Sequence, residues 1–355
     1  MGDKIKRLEW LDAMRGFTMI LVVAYHVMTR CFAISDNASA SVPFLVMFRM
    51  PLFFFISGFL AYRASAVWSF AEFRQMLGKK IRIQIIPAVV FFFIAALYLQ
   101  RNGFWSQVQL MYHSSSKGGY WFTLVLLYMF IVYYLFTFIE YRFQRKSFLP
   151  LCILWLVAIG TYLTVYMPNQ FWYAEGHTGR KGWLFDTSIF RLMQYFQYFI
   201  YGNIVRRYWH RFELLYEKPG FYLAIIIIAF LSTTDHLALH LLPGQWSVIS
   251  RTIAVYSLMT VIFLFFRYYR SHFSKQTALG RRLQYIGTRT LDIYLLHFLF
   301  IPYLPEVGKY FVQHPNFALE IVASLLIAFV VIAFCIVGSN TIRISPFLKK
   351  YLFGR

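Results

Sequence analysis

Two histidines and a few arginines lie in stretches that are otherwise almost wholly apolar, and they carry most of the chemistry this sequence offers. In Leu11-Asp12-Ala13-Met14-Arg15-Gly16-Phe17 and Ala24-Tyr25-His26, Arg15 and His26 stand eleven residues apart. On a helix that spacing is about 16 Å of rise and about 20° of rotation, so the two share a face at different depths. Asp12, three residues before Arg15, falls on the same face within pairing reach. A neutral imidazole can take a proton from a hydroxyl near neutral pH. A guanidinium never acts as a base; it holds an anion through paired N–H groups or balances a carboxylate. His26 therefore reads as a general base and Arg15 as an anion holder. The alternatives are a hydrogen-bonded interior histidine and a structural Asp12–Arg15 pair.

Arg49, in Phe48-Arg49-Met50-Pro51-Leu52-Phe53-Phe54-Phe55-Ile56-Ser57-Gly58, falls at a depth comparable with His26, as do Arg191 and Arg251. Cations near a histidine suit a developing oxyanion or an acidic acceptor. Each could equally snorkel outward or bond carbonyls at a helix end. Pro51 implies a kink, and Ser57-Gly58 a place where another helix comes close. The late stretch Thr288-Arg289-Thr290-Leu291-Asp292-Ile293-Tyr294-Leu295-Leu296-His297 puts Thr290 and His297 seven residues apart and nearly eclipsed, with Tyr294 one turn before the histidine. His297 and Tyr294 read as lining the site. Arg289, at the basic end of this stretch, is suited to a phosphate or is an ordinary flanking cation. The Tyr120-Trp121-Phe122 and Phe171-Trp172-Tyr173 clusters, with His177 and Trp183, read mainly as an interfacial aromatic belt. A few such rings, Trp121 among them, suit stacking on a sugar.

The elements that must position these groups are membrane helices. Hydrophobic residues make up 59% of the 355 and charged residues only 14%, where an ordinary soluble domain has about 25% charged. Mean hydropathy is +0.56. Apolar runs long enough to cross a bilayer fall near 10–31, 43–62, 83–99, 120–139, 148–167, 188–205, 220–239, 247–266, 285–304 and 317–338. The net charge of +21 at first suggests nucleic acid, but its distribution removes that reading. With a cytoplasmic N-terminus, the inside loops collect most of the Lys and Arg residues, for example Arg74, Lys79, Lys80 and Arg82, or Arg206, Arg207 and Arg211. This is the positive-inside pattern. The expected fold is an all-α integral membrane protein of about ten transmembrane helices with both termini cytoplasmic. It forms a single membrane-embedded domain over 1–355 with no appended soluble domain. The first apolar run is long and lacks a cleavage pattern, so it reads as a retained anchor. Cys31, Cys152 and Cys335 have neither metal nor disulfide spacing, so no metal is expected.

Taken together, these stretches resemble acyltransferase family 3, membrane proteins that O-acylate cell-envelope carbohydrates, lipid-linked sugars and some small molecules. Trp10-Leu11-Asp12-Ala13-Met14-Arg15-Gly16 followed by His26 is similar to the family's first-helix signature of a basic residue and a histidine. Pro51 to Leu60 resembles its second-helix motif, Tyr120-Trp121-Phe122 its aromatic motif, and Thr290 to His297 its late Ser/Thr-to-His motif. The opening Glu9-Trp10-Leu11-Asp12 resembles the fucose 4-O-acetylase-like branch. The resemblance implies that His26 is essential and that Arg15 is its paired basic residue.

The resulting expectation is transfer of an acetyl or other short acyl group from cytosolic acyl-CoA to a hydroxyl of an envelope carbohydrate or glycolipid, in a bacterial inner membrane. CoA phosphates would rest on Arg15 with Arg289, Lys80 or Arg82. Arg49, Arg191 or Arg251 would hold an oxyanion or the acceptor, and His26 would act as base or as a transient acyl carrier. The rival class is a transporter or flippase of an anionic or glycolipid substrate. That class predicts matching broken helices in two pseudo-symmetric halves, and the hydropathy pattern has none.

Overall fold

A computed structural model describes residues 8–35, 38–39, 41–63, 68–99, 103–114, 116–143, 148–168, 183–241 and 246–354. The regular structure of the described residues is helical, with no strand among them. That follows from the solvent: in hydrocarbon a segment must satisfy its own backbone N–H and C=O groups, and a helix does so within itself. Eight helices are long and apolar enough to span a bilayer: Glu9–Cys31, Val42–Ala61, Phe70–Leu99, Trp121–Arg142, Phe148–Tyr166, Pro219–Leu239, Ser247–Tyr268 and Phe317–Ile342.

The remaining two of the ten expected spans take other forms. The 188–205 stretch becomes the helix Ile189–Arg207, which is long enough but too polar. Its amides Gln194, Gln197 and Asn203 are all buried. Asn203 Nδ2 donates to the Gly58 carbonyl at 3.3 Å. The 285–304 stretch is broken at Arg289 into Ala278–Thr288 and Thr290–Phe300, after which the chain is extended. The Thr288 hydroxyl donates to the Tyr285 carbonyl at 3.0 Å, a local bond that competes with continuing the helix. The eleven residues of Thr290–Phe300 rise only about 16 Å, half of a hydrocarbon core. A further difference lies at Phe70–Leu99. There Arg74, Lys79, Lys80 and Arg82, expected in a basic loop, extend the span at its N-terminal end. Ser69 caps that helix, its Oγ accepting from Glu72 N at 3.1 Å.

The chain divides into two compact units, one of Met1–Ile56 and Trp209–Ile336, the other of Ser57–Tyr208 and Val337–Arg355. In the first, Glu9–His26 crosses Ala278–Thr288 with almost no space between backbones. A Cβ on Gly16 would overlap the Leu283 carbonyl, and one on Gly287 the Asp12 carbonyl. Small residues permit such crossings, and nothing flexible can yield here. Gly287→Val is therefore expected to destabilise the fold by the upper end of about 1–3 kcal/mol or more. A fall in the thermal unfolding midpoint in detergent would register it, whereas the same change at Gly160, with nothing within 4 Å, is expected to be near neutral. In the same unit the buried carboxylate of Glu320 accepts from Ser39 Oγ at 2.6 Å and Ser41 N at 3.2 Å, tying the segment before Val42–Ala61 to the start of Phe317–Ile342.

The second unit has its own buried ion pair, Arg207 Nη1 with Glu140 Oε2 at 2.9 Å. Removing one partner of such a pair strands the other charge, so its role is to fix how Ile189–Arg207 meets Trp121–Arg142.

Candidate functional site

The first unit brings both histidines together. His26 is the last residue of the regular α-helix, and Val27–Cys31 widens into a π-helical turn. Such turns are uncommon and concentrate at functional positions. The His26 ring lies 5.2 Å from His297, 4.9 Å from Phe298 and 5.0 Å from Tyr25, centroid to centroid. His297 is fully buried. Its Nδ1 faces two carbonyls, Ile293 O at 3.1 Å and Tyr294 O at 2.8 Å. Carbonyls only accept, so Nδ1 carries the hydrogen and the neutral ring keeps its lone pair on Nε2. That Nε2 is buried with no hydrogen-bond partner among the described residues. Tyr294 is 6.2 Å from His297.

Two guanidinium groups flank the histidines. Arg49, only 7% exposed, sits 3.5 Å above the centroid of Tyr25. Pro51, two residues on, lacks the N–H that would have bonded the Met47 carbonyl, which loosens the helix at this level. Arg30 lies 4.5 Å above Phe298. Two imidazoles and two permanent cations thus share one aromatic-walled cluster. Such surroundings favour negative charge that develops on a reacting group.

A second contact between the same helices lies nearer the N-terminal end of each. Arg15 Nη2 donates to Thr290 Oγ1 at 3.0 Å and pairs loosely with Asp12 at 3.5 Å. Arg15 meets Thr290 and His26 meets His297, so Glu9–His26 and Thr290–Phe300 run in the same direction, and the break at Arg289 starts the second helix level with Arg15. The chain then returns at the other end, where Leu304 N donates to Cys31 O at 2.7 Å.

The other expected site residues are dispersed. Arg289 lies over the Tyr285 ring at 3.9 Å. Arg251 is within electrostatic range of His236. In the second unit Arg191 lies 4.9 Å above Trp121 and 3.4 Å from Gln194 Oε1. Trp121 is stacked on Tyr195 at 5.6 Å and 22°, so its faces are engaged by protein groups. Lys80 packs on Phe130 at 3.7 Å, and Arg82 is exposed. Phe171, Trp172, Tyr173 and His177 fall outside the described residues. Sequence reasoning passed over Arg30, Tyr25 and Phe298 as site residues. Arg30 had one available signal, its position four residues after His26.

The sequence profile of an acyltransferase domain, that of acyltransferase family 3, matches residues 8–339. The chain belongs to acyltransferase family 3. Neither the curated proteins nor the solved structures compared with it give a match. The matched range takes in both contacts between the two helices, so the histidine cluster and the Arg15–Thr290 bond are parts of the acyltransferase domain itself. With its family and, among the described residues, eight helices long and apolar enough to cross a bilayer, the protein is an integral, multi-pass membrane acyltransferase.

Proposed function

We propose that the protein transfers an acetyl or other short acyl group from cytosolic acyl-CoA to a hydroxyl of a cell-envelope carbohydrate or glycolipid, with His26 as general base. The observation that carries the reading is the cluster of His26, His297 and Arg49 within the apolar bundle of one unit, with Arg30 at its exposed edge. Ionisable groups at that depth are costly and mark sites of function. His26 takes the proton from the acceptor hydroxyl as its oxygen attacks the thioester carbonyl. The guanidinium of Arg49 faces the charge that gathers on the carbonyl oxygen. As the carbon–sulfur bond breaks, the proton passes from His26 to the departing thiolate, leaving an O-ester, free CoA and a neutral ring. His297 Nε2 offers a hydrogen-bond acceptor beside this path.

Arg15, bonded to Thr290, lies about 16 Å along the helix from His26, and a guanidinium suits a phosphate of the donor. Arg15→Ala is expected to weaken acyl-CoA binding about tenfold or more, the loss of a charge-assisted contact. Equilibrium titration of the purified protein with acyl-CoA measures it, and unchanged affinity would move the phosphate site elsewhere. The reading as a whole is tested by incubating purified protein with acetyl-CoA and envelope glycan. Release of free thiol together with an acyl mass increment on the glycan supports it, whereas a carrier would release no thiol. Comparing envelope glycans from a deletion strain and its complemented parent by mass spectrometry identifies the acceptor.

A further inference from the structure

On the outside of the first unit, Ala278–Thr288 and Phe317–Ile342 enclose a groove of about 540 Å³, within the size range of small-ligand sites. Phe329, Ile332 and Ile336 form one wall, and Tyr285 and Ile286 the other. Nearly all of its surface is apolar. Two cations line it as well, Arg281 and Arg282, one turn before Tyr285 on the shorter helix. No acidic side chain lines the groove. Arg281 is held in place by Nη1 bonds to the carbonyls of Lys275 at 3.2 Å and Gln276 at 3.0 Å. These bonds fix the guanidinium without neutralising it. Arg282 is exposed and makes neither hydrogen bond nor ion pair among the described residues.

We infer that this groove is a binding site for an anionic phospholipid. One acyl chain lies along the Phe329–Ile336 face, and Arg281 and Arg282 meet the negatively charged headgroup phosphate. The inference rests on charge complementarity and on where the groove lies. It opens on a face where Phe329 is half exposed, on a helix long and apolar enough to cross the bilayer. The solvent there is lipid, and an apolar slot in lipid fills with an acyl chain. Two uncompensated guanidinium groups then discriminate among headgroups, because each contributes attraction to a net negative lipid and the pair repels a choline. The site is separate from the histidine cluster, and its test does not depend on acyl transfer.

The test uses the full-length protein in nanodiscs and in detergent, with dioleoylphosphatidylglycerol and dioleoylphosphatidylcholine as the two probes. Native mass spectrometry and thermal unfolding are expected to show retention of, and stabilisation by, the glycerol lipid over the choline lipid. Arg282→Gln, at an exposed position without internal partners, keeps the fold and is expected to reduce that preference about fivefold, with a similar further loss on adding Arg281→Gln. Ala333→Trp, also at an exposed position lining the groove, fills it and is expected to abolish retention of the glycerol lipid while helicity by circular dichroism is unchanged. Equal retention of the two lipids by the wild type would overturn the proposal. So would an undiminished preference in the folded Arg282→Gln or Ala333→Trp protein. A change in oligomeric state on Ala333→Trp with the lipid preference intact would likewise overturn it and assign the groove to a second copy of the chain.

Discussion

His26→Gln is expected to lower the rate of acyl transfer by about 10²–10⁴-fold, the usual worth of a positioned general base, with little change in the unfolding midpoint. Glutamine keeps a polar side chain of similar reach but cannot take a proton. The helix that carries His26 is held elsewhere, by the Gly16–Gly287 crossing and by the edge-on packing of Trp10 against Phe263 at 5.3 Å. The effect therefore belongs to chemistry rather than to folding. Stopped-time assays of thiol release at saturating acyl-CoA measure it, and near wild-type turnover would remove His26 from the reacting centre. Mass analysis of the wild-type protein separates two routes. If His26 itself carries the acyl group, wild-type protein quenched with acyl-CoA alone yields a peptide containing His26 heavier by one acyl group. If it acts only as a base, no such peptide forms.

Arg49→Ala is expected to lower kcat by about 10²–10³-fold, the scale seen when one donor to a developing oxyanion is removed. KM for acyl-CoA should change far less, since the contribution is made in the transition state rather than in the bound ground state. Lysine at this position restores the charge but not the flat stacking over Tyr25 at 3.5 Å. Arg49→Lys is thus expected to recover only part of the loss. Tyr25→Leu tests how the cation is held: a cation–π contact shielded from water is worth about 2 kcal/mol. The Arg49 and Tyr25 substitutions should then be strongly non-additive in a double-mutant cycle. Equal kcat in wild type and Arg49→Ala would shift the oxyanion role to Arg30, the other guanidinium of the cluster.

The membrane class, the family and the pairing of Arg15 with His26 on one face were legible in the sequence, because hydropathy and the 3.6-residue repeat are both one-dimensional. Depth along a helix is likewise one-dimensional, and it put Arg49, Arg191 and Arg251 at one level. Which way each helix turns, and which unit it joins, is set by packing partners far away in the chain. That is why Arg49 stands by Tyr25, Arg191 over Trp121, and Arg251 within range of His236. The meeting of His26 with His297 has the same origin. Its cause is the tight Gly16–Gly287 crossing, in which each glycine alone reads as ordinary. The run 285–304 misled for a different reason: its mean apolarity is that of a span, and only the threonine hydroxyls on either side of Arg289 hint at the break.

That break has an electrostatic consequence. A continuous helix would carry the ends of its dipole out to the two water-facing surfaces. Interrupted at Arg289, the chain begins a new helix at Thr290, and its amino end, equivalent to about half a positive charge, lies beside the guanidinium of Arg15. Asp12 at 3.5 Å, and Asp292 in the new helix's first turn, offset that field at rest. A phosphate arriving there competes with Asp12 for a guanidinium it holds only loosely. On the proposed function, the donor's charge would thus be felt at Asp12, fourteen residues before His26 on the same helix.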